Sequence, residues 1–223
     1  MKSKLFSLLF FICSCTFVKA QSTHWDSTYR PGSYYFKVRL YASYYHSPDD
    51  IIFLGNSITE HVDWNELLQM CNVRNRGISG DITFGVLQRL DEVTETHPAK
   101  VFILVGINDI SRNIPDSVIL ANYYKMVDRI KKESPRTKIY FQTLMPVNNE
   151  FTAFKNHYNK DEHILWLNEQ IKLMGKKEHI TIIDLYPHFL NDEKKLDKKY
   201  TLDGLHPNAE GYKVWKSVLK KYL

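Results

Sequence analysis

Four apolar runs rich in β-branched residues stand out along the chain: Ile51–Leu54, Val101–Val105, Lys138–Leu144 and His179–Leu185. A fifth, Asn72–Arg76, is weaker and more polar. None alternates cleanly between polar and apolar, so each predicts a strand covered on both faces. Segments of helical period lie between and after them: Val62–Met70, Phe84–Val93, Ser117–Glu133, Asp161–Gly175 and Ala209–Leu223. Strand and helix in turn, five times over, predict a parallel sheet between helices, a three-layer α/β/α domain over residues 50–223. No repeat, low-complexity tract or linker divides that span.

The N-terminal segment departs from this pattern. Lys2 and Lys4 precede an apolar run from Leu5 to Val18, and Val18-Lys19-Ala20 ends in a small residue. That order predicts a signal peptide over residues 1–20, cleaved after Ala20, and so a secreted or periplasmic protein. The run is short for a membrane span, which needs roughly 18–20 residues. Ile12-Cys13-Ser14-Cys15 is a looser match to a lipoprotein box, with anchoring at Cys15 as the alternative. Residues 21–49 form a polar, aromatic-rich extension in which 33–45 could make a short helix packed on the domain; its tyrosines suit packing better than ligand binding.

The leader changes how charge and cysteine are read. The whole chain carries 30 Lys and Arg against 25 Asp and Glu, net +5. Without Lys2, Lys4 and Lys19 the balance is 27 against 25, so net charge falls to +2 and gives no reason to expect nucleic acid. Cleavage also removes Cys13 and Cys15; Cys71 then stands alone, with no internal disulfide, and reads as a small buried residue. The Lys194–Lys199 region mixes both signs and reads as solvated surface.

In an open parallel sheet, ligands bind where the strands end. Gly55-Asn56-Ser57 follows the first strand, Asn75-Arg76-Gly77-Ile78-Ser79-Gly80-Asp81 the second, and Gly106-Ile107-Asn108-Asp109 the third. With strand order 2-1-3-4-5 these loops surround one crevice. Each admits an ordinary explanation: Ser57 as a helix cap, Gly77 and Gly80 as positive-φ turn residues, Asn108 as an Asx turn.

Asp203-Gly204-Leu205-His206-Pro207, just before the last helix, shifts the balance. An Asp three residues before a His can hold Nδ1–H while Nε2 faces a nucleophile. A serine hydroxyl needs such a base, so Ser57 and His206 explain each other. The Ser57 and Gly80 amides and the Asn108 side-chain amide would then be donors to an oxyanion. Asp81 and Asp109 read as supports of these turns, and Arg76 and Arg112 as surface ion-pairing residues more than ligands of an acidic substrate. His24, His46, His61, His97, His157, His163, His179 and His188 lack the Asp spacing, and none forms a metal set, so no metal or other cofactor is expected. Phosphate-binding glycine motifs are missing after the first strand.

Four blocks in order, Gly55-Asn56-Ser57, Gly80, Asn108 and Asp203 with His206, resemble those of the SGNH (GDSL-type) hydrolases, and they span residues 51–208. The resemblance is nearest to the single-domain platelet-activating-factor-acetylhydrolase-like branch and to secreted carbohydrate acetylesterases. It implies a flavodoxin-like fold, a Ser57–His206–Asp203 triad and an oxyanion hole of Ser57, Gly80 and Asn108. Asn56 replaces the Asp of the family's eponymous block. The expected activity is hydrolysis of short acyl, notably acetyl, esters on a small molecule or glycan, without nucleic acid or stable membrane insertion. A lysophospholipase or thioesterase, or a noncatalytic carbohydrate-binding module on this fold, are the alternatives.

Overall fold

The computed structural model describes residues 25–223; the predicted signal peptide, with Cys13 and Cys15, lies outside them. Five parallel strands, β1 (Ile51–Gly55), β2 (Val73–Gly77), β3 (Lys100–Leu104), β4 (Lys138–Gln142) and β5 (Thr181–Ile183), form one sheet ordered β2-β1-β3-β4-β5. The strands are those anticipated, with β5 shorter because His179 and Ile180 turn out of it. His179 ends the preceding helix in the left-handed region, at φ 50°.

Helices α1 (Tyr34–Ala42), α2 (Ser57–Glu60), α3 (Trp64–Leu68), α4 (Thr83–Gln88), α5 (Asp91–Thr94), α6 (Ile107–Ser111), α7 (Asp116–Glu133), α8 (Asp161–Glu178) and α9 (Ala209–Leu219) complete the described residues, with short 3-10 turns. One layer runs through α4, α5, α7 and α8; α3 and α9 pack together in the other. On α7, Ile119, Tyr123, Met126, Val127 and Ile130 recur at helical spacing and are all buried.

Every residue of β1 is buried. Phe53 stacks on Phe102 at 4.8 Å and on Trp64 at 3.9 Å between ring centroids, and Trp64 meets Trp215 edge-on at 4.8 Å. The sheet centre is thereby tied to α3 and α9. Burial of such rings supplies most of the driving force.

The segment expected to be one helix over Phe84–Val93 is two, α4 and α5, and the break falls at Arg89. Its guanidinium is fully buried, bonding Asp81, Glu92 and the carbonyls of Gly55 and Arg76. Cys71 is exposed, contrary to expectation. The chain leaves α3 through Gln69, left-handed at φ 57°, so position 71 no longer follows that helix's buried face.

The N-terminal segment lies across the strand ends. Tyr34 donates to the Gly85 carbonyl at 2.7 Å and Tyr41 to the Gly77 carbonyl at 2.6 Å. Both tyrosines are buried with Ile78 in a small cluster of their own.

Candidate active site

The turn after β1 is tight for steric reasons. A Cβ at Gly55 would stand 2.3 Å from Thr59 Oγ1 and 2.4 Å from the Leu104 carbonyl. Asn56, not Ser57, caps α2: its Oδ1 accepts the Ile58 amide at 3.0 Å. Ser57 is the first helical residue, 8% exposed, and its own amide has no helical acceptor. The residue that departs from the family pattern thus has a job a carboxylate or an amide oxygen does equally well, and it frees the serine from capping.

The last loop organises itself locally. Asp203 Oδ1 accepts the amides of Leu205 at 2.9 Å and His206 at 2.8 Å, and Gly204 turns at φ +79°. Thr201 Oγ1 accepts the Gly204 amide at 3.0 Å and donates to the His206 carbonyl at 2.8 Å. Asp203 Oδ2 lies 2.8 Å from His206 Nδ1, and His206 Nε2 lies 2.9 Å from Ser57 Oγ. Hydroxyl, imidazole and carboxylate therefore form one continuous chain across 149 residues of sequence. Burial pushes the Asp203 carboxyl up, but the His206 and Leu205 amides and the imidazole outweigh it and hold it below its ordinary value.

Gly80 and Asn108 face the same crevice. Gly80 sits at φ +79°, where a side chain is strained, while Gly77 has no positive φ and is instead kept small by the Glu60 amide, 2.4 Å from a would-be Cβ. Asn108 Nδ2 donates one hydrogen to the Asp81 carbonyl at 2.9 Å, and its second is uncommitted. Asn108 Oδ1 is met at 3.0 Å by His157 Nε2. Because the Asp81 carbonyl can only accept, the amide's orientation follows, and His157 must be the donor to Oδ1. Burial, then the charges of His206 and Arg112, push His157 down to about 4, so it is a neutral Nε2–H donor near neutral pH.

Behind them, Asp109 is fully buried and accepts the Thr83 amide at 3.0 Å and the Thr83 hydroxyl at 2.6 Å. Burial raises its pKa to about 7 against those bonds. Asp81 pairs with Arg89 at 2.9 Å. Both acids act as internal ties.

Ser57, Gly80, Asn108 and His206 line a cavity of about 350 Å³ with His61, Phe154, His157, Arg112 and Leu205. The Phe154 and His61 rings each lie 4.9 Å from that of His206. In the sequence His61 and His157 have neither a neighbouring Asp nor a metal set to mark them; His157 arrives from a loop 49 residues beyond Asn108. Arg112 stacks on Tyr29 at 3.2 Å rather than ion-pairing, and Arg76 is 2% exposed rather than on the surface.

A family model described as GDSL-like lipase/acylhydrolase matches residues 53–214. The chain belongs to this family. It is therefore a carboxylic ester hydrolase of the SGNH type, and ester hydrolysis is the chemistry that the crevice has to serve. An arylesterase of Vibrio mimicus is 32% identical over 73% of this chain and 82% of its own length. A platelet-activating factor acetylhydrolase IB subunit alpha2 from Homo sapiens is 23% identical over 73% and 71%. Among solved structures, a GDSL-like lipase of Bacteroides thetaiotaomicron superimposes with TM-score 0.75 at 25% identity, covering 85% of this chain and 96% of its own. An acetyl xylan esterase at 21% identity, TM-score 0.67 and coverage of 78% and 99%, shares the fold. Among the described residues no helix is long and apolar enough to cross a membrane.

Proposed function

We propose that this SGNH hydrolase is a secreted or periplasmic serine esterase that removes short acyl groups, acetyl above all, from a carbohydrate. The observation that carries the mechanism is the continuous Asp203–His206–Ser57 chain, with contacts of 2.8 and 2.9 Å, opening into a small cavity. Ser57 Oγ attacks the ester carbonyl as His206 Nε2 takes its proton, while Asp203 holds Nδ1–H and stabilises the imidazolium. The Ser57 and Gly80 amides and the free Asn108 Nδ2 hydrogen receive the oxyanion. His206 returns the proton to the departing alcohol, then activates the water that frees the acyl group from Ser57.

The acetylhydrolase among this chain's relatives supports a short acyl chain, which would lie beside Phe154, His157 and Leu205 in the cavity of about 350 Å³. Secretion is supported by the leader sequence alone, with cleavage after Ala20 and anchoring at Cys15 as the alternative; N-terminal sequencing of exported protein separates them. The decisive assay compares p-nitrophenyl acetate with longer p-nitrophenyl esters on wild type and Ser57→Ala. Acetate is expected to be the better substrate and Ser57→Ala inactive. Equal rates for the two proteins would exclude Ser57 as the nucleophile, and a preference for long chains would favour a lipase.

A further inference from the structure

The proton that His206 returns must reach the leaving oxygen, so the alcohol part of the ester stands on the His206 side of Ser57, away from Gly80 and Asn108. On that side stands His61, its ring 4.9 Å from that of His206. His61 lines the triad cavity and also a larger one of about 690 Å³. The larger cavity runs along β2, which is an edge strand, and its outer wall is Lys37, Tyr41 and Tyr44, contributed by α1 and the turn after it. The family match begins at residue 53, so this wall lies outside the matched stretch.

The lining suits a molecule with both C–H faces and many hydroxyl groups. Tyr44 is 44% exposed and offers an aromatic surface; Asn65 and Lys37, the latter ion-paired with Glu60 at 2.9 Å, are polar groups of the same lining. Arg76 carries the more specific signal. It is 2% exposed, lies 4.9 Å from the Tyr41 ring and 5.5 Å from the Tyr44 ring, and among the described residues donates to the Asn75 carbonyl alone, through Nη1. Among the described residues its Nε and Nη2 have no hydrogen-bond acceptor, although the Glu92 and Asp50 carboxylates are near enough to act on its charge. Buried donors are nearly always paired, and oxygen atoms of a ligand seated against Tyr44, reached by rotation of that exposed ring, would supply the partners.

We infer that the cavity beyond His61, walled by Tyr44 and floored by Arg76, binds the sugar alcohol of the ester substrate. This rests on the esterase reading above. The test is kcat/KM for a mono-O-acetylated cellobiose and for p-nitrophenyl acetate, measured on wild type, Tyr44→Ala and Asn65→Ala, with unacetylated cellobiose as inhibitor. The acetylcellobiose-to-p-nitrophenyl acetate ratio should fall about tenfold in Tyr44→Ala, chiefly through KM, as the loss of one aromatic contact predicts. Cellobiose should inhibit wild type competitively and Tyr44→Ala more weakly. A ratio within about twofold of wild type in both variants, on proteins that still cleave p-nitrophenyl acetate, overturns the subsite alone. Failure of wild type to cleave either ester overturns the esterase reading itself.

Discussion

The two walls that meet at Ser57 are built in opposite ways. The His206 wall is mostly local: Asp203 binds the amides and the ring of residues two and three positions on, and Thr201 closes the same loop, with the Asn148 amide on the Gly204 carbonyl and the Tyr158 hydroxyl on the Asp203 carbonyl as the outside ties. The Gly80–Asn108 wall is assembled from distant parts. Asn108 is held by Asp81 and by His157, and Asp109 reaches across to Thr83. The carboxylate and base of a proton relay can thus come from one short segment, whereas donors facing an oxyanion are fixed by several elements at once.

Breaking the local wall should cost most. Asp203→Asn removes the acceptor that holds Nδ1–H and should lower kcat about 10⁴-fold with the fold intact, as circular dichroism can check. Asn108→Ala deletes one donor of the other wall, and kcat should drop about 10²–10³-fold while KM changes little. A larger loss than in Asp203→Asn would reverse the ranking of the two walls. His157→Ala leaves Asn108 in place but unheld; kcat should fall about tenfold, with partial recovery in His157→Gln, which restores a donor. An unaltered kcat would mean that the Asp81 carbonyl alone fixes the amide.

The weakest effect on rate, and the clearest on pH, belongs to Asp109. Its folded pKa is about 7, against roughly 3.9 for an unfolded Asp. Between those values the folded chain holds a proton that the unfolded chain has lost, so this group's contribution to stability falls as pH rises and levels off above 7. Asp109→Asn keeps an acceptor for Thr83 and lacks that slope. In urea unfolding, wild type should lose stability relative to Asp109→Asn between pH 5 and pH 8, chosen to straddle the folded pKa of about 7. Parallel behaviour would show that Asp109 is already ionised in the folded protein.

The contrast also explains what could be read from sequence. The strands announce themselves because both faces are buried, and Ser57, Gly80, Asn108, Asp203 and His206 follow or precede elements whose ends were predictable. The Asp203–His206 pairing is legible because it is made within four residues. His157 was invisible because its partner is set by the path of the chain after β4, and no local pattern records that. Asn56 looked like a defect in a motif until the backbone showed which residue's side chain accepts the Ile58 amide. Arg76 and Cys71 exchanged their expected places because burial at an edge strand and beyond a left-handed turn depends on what packs there, here Tyr41 and Tyr44 over Arg76.

Tyr212 on α9 donates to the Ile58 carbonyl at 2.8 Å, within the helix that carries Ser57. Serine and histidine thus meet only when residues 203–212 have docked against α2. A chain still being synthesised has the serine but not the base. Ester cleavage then reports that the C-terminal part of the fold has docked, and because Trp215 and Leu219 of α9 are fully buried, a nick or truncation there should silence the enzyme and loosen the sheet together.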